Sequence, residues 1–188
     1  MTQHVLIIGA GQGAIQLIDT LRRKGHRGEI TLVGDEPELP YQRPPLSKKY
    51  LAGELGRDRL LIRHAGYFDE HGIGTVLGRR ATQIDRAARR VTLDDGSSLN
   101  YDALVLATGS RARPLSVPGA SLRRVHKLLN VADADQLRAL AKPGARLVVV
   151  GGGYIGLEVA ASCRELGVDV TVLEMADRVM NRVVCEPV

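Results

Sequence analysis

Two stretches of the chain share one order of apolar and polar positions. Val5-Leu-Ile-Ile8 is continuously apolar, Gly9-Ala-Gly-Gln-Gly13 turns, and Ala14 to Lys24 carries apolar residues at helical spacing. Gly25 stops that helix, and Ile30-Thr-Leu-Val33 is the next apolar run. The pattern returns at Leu147-Val-Val-Val150, the turn Gly151-Gly-Gly153, a helical stretch from Tyr154 to Leu166, a stop at Gly167, and Val168 to Leu173. Strands without polar alternation suit a sheet buried on both faces, so each copy predicts a βαβ unit of a parallel sheet.

The chain between the copies has another texture. Leu39 to Ser47 is proline-rich and predicts neither regular helix nor central strand. Short strands are expected at Gly74–Leu77, Arg90–Leu93 and Leu99–Tyr101, the last two joined by a hairpin turn at Asp94-Asp95-Gly96. Ala103 to Ala107 reads as a further buried strand closed by Thr108-Gly109. Pro114 to Gly119 reads as a linker and Asp133 to Ala141 as a helix. The expected architecture is α/β: a Rossmann-like domain at residues 1–113 with a small antiparallel β portion, then the start of a second at 114–188.

Composition narrows the function. Hydrophobic residues are 44% and charged residues 25% of the chain, a soluble globular balance. No apolar run approaches the ~20 residues of a membrane helix, and the first residues lack the pattern of a secretory leader, so no membrane and a cytoplasmic location are expected. The net charge of +5 comes from scattered arginines, with pairs such as Arg22-Arg23 and Arg79-Arg80 read as solvated helix ends and loops. Aromatics at 3% leave little for base stacking, so no nucleic-acid partner is expected. Cys163 and Cys185 form no CxxC, and the five histidines show no ligand spacing, so no metal is expected. Cys163 reads as a small buried residue.

The glycine turns carry the chemistry. Gly9, Gly11 and Ala14 fit GxGxx[G/A]: the first permits the tight turn, the second lets a pyrophosphate approach backbone, and the small third lets helix and strand pack. Phosphate then meets unpaired N–H groups at a helix N-terminus. Asp35 or Glu36, after the second strand, offers a carboxylate to ribose hydroxyls. Gly151, Gly153 and Gly156 repeat the motif, and Glu174 follows the next strand. An acid there favours NAD over NADP, binding a 2′-hydroxyl and repelling a 2′-phosphate. Arg178, nearby, is a cation a 2′-phosphate could meet. Two fingerprints suggest two dinucleotides, most economically FAD and NAD.

Leu39-Pro-Tyr-Gln-Arg-Pro-Pro-Leu-Ser-Lys48, Leu104-Val-Leu-Ala-Thr-Gly-Ser110 and Gly151-Gly-Gly-Tyr-Ile-Gly-Leu-Glu158 together resemble the FAD-dependent ferredoxin and rubredoxin reductases of the putidaredoxin reductase type. The resemblance covers essentially the whole chain. It implies FAD over Gly9, Gly11, Gly13 and Ala14, with Asp35 on its adenosine ribose and Glu36 beside it. It implies Arg43, Ala81, Ala107, Thr108 and Gly109 at the same cofactor, and Lys48 beside the flavin. It also implies NADH on Gly151, Gly153, Tyr154, Ile155, Gly156 and Glu174, with Glu158 near the nicotinamide. Lys48 and Glu158 are the expected catalytic pair, a cation favouring charge on reduced flavin and the acid that holds it. Electrons would pass from NADH through flavin to a ferredoxin or rubredoxin serving a monooxygenase or dioxygenase.

Related enzymes that reduce disulfides or oxygen carry a cysteine in the loop that here holds Pro44, Pro45 and Ser47, so a thiol mechanism is not expected. Three features depart from the resemblance. Gly13-Ala14 stands for alanine then glycine, Leu129 for an arginine contacting FAD, and the chain ends at Val188 where family members continue. A fragment is therefore expected. Rival readings are a non-catalytic nucleotide-binding fragment and the FAD/NADH portion of a nitrite reductase or NADH oxidase.

Overall fold

A computed structural model describes residues 3–185; Pro187 and Val188, the expected abrupt ending, lie outside them. The chain folds as two compact units. One comprises the chain up to Gln42 with Leu61–Ser110, the other Arg43–Leu60 with the chain from Arg111 onward. The chain passes from one unit to the other after Gln42, Leu60 and Ser110, so residues 43–60 cluster with the second unit.

In the first unit, β1 (Val5–Ile8), α1 (Gln12–Arg23) and β2 (Ile30–Gly34) form the first βαβ unit. α2 (Gly66–Glu70), β3 (Ile73–Leu77), β4 (Ala81–Asp85), β5 (Arg90–Leu93), β6 (Ser98–Asn100) and β7 (Ala103–Leu106) follow. The parallel sheet runs β3-β2-β1-β7, with Ile8 beside Val33 on one side and Leu106 on the other. Successive side chains of β1 serve two cores. Val5 and Ile7 pack with Ala14, Ile15 and Ile18 of α1 and with Tyr67 and Phe68 of α2. Leu6 and Ile8 pack with Val91 and Leu93 of the antiparallel sheet β4-β5-β6. The sheet is thus covered on both faces, as its uninterrupted apolar strands require.

β4 and α2 were not among the elements expected from the sequence. β4 is mostly exposed and takes its form from pairing with β5; the turn at Asp94–Gly96, where Gly96 has φ +83°, joins β5 to β6. α2, only five residues long, has no room for a periodic pattern. It is fastened by the Tyr67 hydroxyl, which donates to Asp19 at 2.6 Å, while Arg63 also binds that carboxylate. Burial pushes the Asp19 carboxyl up, but the Tyr67 and Arg63 bonds outweigh it and hold it below the ordinary range.

Arg22, expected to be solvated, is instead a clasp. Its Nε donates to His71 O at 3.0 Å and its Nη1 to His26 O and Gly28 O, both at 2.9 Å; Nη2 reaches Gly72 O at 3.1 Å. The guanidinium fork satisfies four carbonyls from two loops, which a lysine cannot reproduce. Arg22→Lys is expected to cost roughly 2–4 kcal/mol, read by chemical denaturation, from loss of several charge-assisted bonds. A change within ~0.5 kcal/mol, the scale of a surface substitution, would show that the clasp does not tie these loops.

In the second unit, α3 (Val131–Leu140), β8 (Arg146–Val150), α4 (Tyr154–Glu165) and β9 (Asp169–Leu173) follow in order, with β8 and β9 parallel. Asn130 caps α3 by accepting from Asp133 N at 2.8 Å, so the helix starts two residues before the expected Asp133. Leu51 of the 43–60 segment packs with Val159, Cys163 and Val168. Cys163 is buried there, as expected, and burial pushes its thiol up.

Candidate functional site

At the carboxyl ends of β1 and β7 the backbone closes tightly. Gly9 N–H donates to Val33 O at 2.8 Å and Ala107 N–H to Ile8 O at 2.7 Å. Gly9 has φ +112°, and a Cβ there would stand 2.1 Å from the Ala107 oxygen, so only glycine fits. A Cβ on Gly11 or Gly13 would meet nothing within 4 Å among the described residues. Gly11 caps α1 without a side-chain bond, and the first turn holds no acid. The beginning of α1 therefore offers N–H groups to open space, while Ala14 is fully buried beneath. Ala107 ends against the Gly9 turn, and Thr108 and Gly109 follow, Gly109 at φ +65°. This is the end of a parallel sheet where ligands of such folds lie, and the residues fit a pyrophosphate.

The acids after β2 are placed differently from each other. Asp35 meets Arg80 at 3.3 Å with both side chains half exposed, a pair worth about 1 kcal/mol or less. It can exchange that partner for a ribose hydroxyl. Glu36 accepts the hydroxyl of buried Tyr41. Ala81 opens β4, half-buried and packed against the core that contains Ile8 and Val33.

The second fingerprint repeats the close turn with one change. Gly151 has φ +106° and its N–H donates to Leu173 O at 2.8 Å. Here the third glycine is the crowded one: a Cβ on Gly156 would lie 2.2 Å from Gly151 O. Around Gly151 and Gly153 there is open space among the described residues. Tyr154 and Ile155, large and apolar, stand exposed at the start of α4. Glu174 accepts from Gly152 N–H at 2.7 Å and Ala176 N–H at 2.9 Å. The bonds from Ala176 and Gly152 hold its carboxyl below the usual range. Arg178, the cation nearest in sequence, donates to Val184 O at 2.7 Å.

The expected catalytic pair meets within the second unit. Lys48 Nζ lies 2.8 Å from Glu158 Oε1, and Ser47 Oγ donates to Glu158 Oε2 at 2.6 Å. Lys48 first and Ser47 second hold the Glu158 carboxyl below its ordinary range. The proline-rich segment makes this possible by tightening into a 3-10 turn at Pro44–Ser47, with Leu46 and Ser47 buried and Lys48 turned outward. Arg43, just before it, donates to Leu129 O at 2.7 Å. Nothing in the structure explains leucine rather than arginine at 129.

Sequence reasoning missed Ser47 as part of this group. It also missed Ser162, whose buried hydroxyl donates to Ser47 O at 2.9 Å. Ser162 carried a usable signal, a polar residue among Val159, Ala160 and Cys163 on the buried side of α4. Ser47 carried none, because its partners lie 111 and 115 residues away.

A family model, the pyridine nucleotide-disulphide oxidoreductases, matches residues 3–188. The chain belongs to that family. Rhodocoxin reductase of Rhodococcus erythropolis is 50% identical over 178 residues, which are 95% of this chain and 42% of that protein. The crystal structure of a covalent putidaredoxin reductase–putidaredoxin complex superposes with a TM-score of 0.92 at 40% identity, covering 98% of this chain and 45% of the reductase. A ferredoxin reductase from Rhodopseudomonas palustris gives a TM-score of 0.93 at 42% identity over 98% of this chain and 46% of its own. The chain thus spans less than half the length of the relatives it matches. Among the described residues no helix is long and apolar enough to cross a membrane.

Proposed function

We propose that the protein takes FAD on the first glycine turn and NADH on the second, and passes electrons from NADH to a ferredoxin or rubredoxin. The observation that carries this reading is the pair of βαβ turns, each opening a helix N-terminus to space and each followed by an acid. The reductases it resembles, one of them in complex with its redox partner, support the acceptor class. On this reading residues 1–113 form the FAD-binding part and 114–188 the beginning of the NAD-binding part.

Bound FAD would supply the chemistry, accepting a hydride and releasing electrons singly. The chain's residues orient and tune. Gly9, Gly11, Gly13 and Ala14 cradle pyrophosphate, Asp35 takes ribose hydroxyls, and Arg43, Ala81, Ala107, Thr108 and Gly109 line the remainder. Gly151, Gly153, Tyr154, Ile155, Gly156 and Glu174 receive NADH. Lys48 favours negative charge at the ring, and Glu158 keeps its ammonium in place. Two unpaired cysteines and a reductase role favour the cytoplasm.

The test is anaerobic stopped-flow of the FAD-loaded protein. NADH is expected to bleach the flavin faster than NADPH, and added ferredoxin to restore its colour; no bleaching by NADH would overturn the reading. Lys48→Ala is expected to leave FAD bound and lower the two-electron potential by on the order of 30 mV, as loss of ~1.4 kcal/mol of charge stabilisation requires. An unchanged redox titration would remove Lys48 from the flavin.

A further inference from the structure

The Lys48–Glu158 pair is a poor clamp by itself. Lys48 is half exposed, and an ion pair in that setting contributes little and leaves both side chains free to turn. What distinguishes this pair is the buried bond on the other carboxylate oxygen. Glu158 and Ser162 stand four residues apart on α4 and so share one face. Ser162 donates to the carbonyl of Ser47, and Ser47 donates its hydroxyl back to Glu158 Oε2. Both serines are buried, at 5% and 7% exposure, where a lost hydrogen bond is not readily replaced by water.

We propose that Ser47 is the positioning residue of the site: gripped through its carbonyl by Ser162, it locks the Glu158 carboxylate so that the opposite oxygen faces Lys48. The inference rests on the reading that this pair serves flavin and nicotinamide. It assigns to a serine with no contact to Lys48's ammonium the task of keeping that ammonium in register.

The loop does not depend on Ser47 for its attachment. Tyr50 donates to Asp135 Oδ1 at 2.5 Å, Arg57 meets Asp135 Oδ2 at 3.1 Å, and the Arg138 guanidinium lies 5.9 Å from the Tyr50 ring centre. Leu51 is buried beside Val159 and Cys163. Removing the Ser47 hydroxyl therefore leaves the 43–60 segment on α3 and α4. Other charges on the elements around Glu158 are committed elsewhere or lie apart. Asp133 accepts from Leu129 N and Asn130 N, and Asp135 is taken by Tyr50 and Arg57. Arg164 donates to Val168 O at the far end of α4, beside Glu165, and Arg146 and Asp169 open β8 and β9. Lys49 is exposed beside Lys48.

The test compares wild type, Ser47→Ala, Ser47→Thr and Ser162→Ala in the FAD-loaded protein. The Glu158 carboxyl is followed by NMR with carbon-13-labelled glutamate, its signal assigned by its loss in Glu158→Gln. In Ser47→Ala the Glu158 titration is expected to move upward, because a bond to its ionised form is lost, and Ser47→Thr to return it. The maximal rate of flavin reduction by NADH should fall roughly tenfold, the worth of one hydrogen bond to a charged group, with KM changed little. Ser162→Ala should shift the titration in the same direction by less. If Ser47→Ala folds and Glu158 titrates as in wild type, the proposal is overturned. Should Ser47→Ala fail to fold, Ser162→Ala decides by the same readout, and an unmoved titration there overturns it. A titration that moves in a protein whose wild-type flavin NADH cannot reduce would support the Ser47 assignment and reject the electron-transfer reading.

Discussion

Gly9→Ala is expected to destabilise the protein by roughly 2–6 kcal/mol, while Gly11→Ala, two residues on, costs about 1 kcal/mol or less. The first sum combines a left-handed backbone conformation, ~1–3 kcal/mol for a non-glycine residue, with overpacking of ~1–3 kcal/mol. The clash cannot relax cheaply, because the atom met at 2.1 Å is the backbone oxygen of Ala107, whose own N–H is held by Ile8 O, while the Gly9 N–H is held by Val33 O. Gly11 has φ −103° and open space, so alanine meets only its modest disadvantage as a helix cap. Chemical denaturation measures both. FAD binding then separates them further: Gly11→Ala should weaken FAD at near-normal stability, since its methyl group projects into the open space proposed for the pyrophosphate. A Gly9→Ala variant within ~1 kcal/mol of wild type would refute the close approach. Undiminished FAD affinity in Gly11→Ala would move the pyrophosphate elsewhere.

Glu174→Arg is expected to shift the ratio of kcat/KM for NADPH over NADH about a hundredfold toward NADPH, some 2.7 kcal/mol in discrimination. The substitution removes an anion that repels a 2′-phosphate and adds a cation that binds one. The structure adds a second expectation. Glu174 also anchors the glycine loop through Gly152 N–H and the following turn through Ala176 N–H. Glu174→Gln removes the charge and keeps one acceptor oxygen, so it can hold the Gly152 N–H or the Ala176 N–H but not both, and it should give a smaller shift, about tenfold. Steady-state kinetics with both nucleotides tests this. A Glu174→Arg variant whose NADPH-to-NADH ratio is unchanged from wild type would place the ribose away from this acid.

Both fingerprints were legible in the sequence because everything they need lies within about thirty contiguous residues. A strand, a glycine turn and a helix N-terminus are local objects, and their signals are local: continuous apolar runs, glycines at fixed spacing, an acid after the second strand. The same holds for the Gly25 stop, the Asp94–Gly96 turn and the burial of Cys163. Ala14 and Gly156 fill the same place in the two motifs, yet only Gly156 is too crowded for a Cβ, against Gly151 O. Spacing alone does not carry that difference.

Other features belong to pairings between distant residues. β4 is polar enough to pass for a loop and exists because β5 pairs with it. Arg22 looked like one of several surface arginines until four carbonyls from two separate loops converged on it. The 43–60 segment precedes the apparent domain boundary in sequence, yet its contacts run to α3 and α4, some 78 to 115 residues later. Sequence by itself determined that this protein carries two nucleotide-type turns and named Lys48 and Glu158 as partners through resemblance. Only the tertiary structure decided what holds them. Ser47 and Ser162 are ordinary small polar residues until folding buries them together, and burial is what makes a single hydrogen bond there costly to lose.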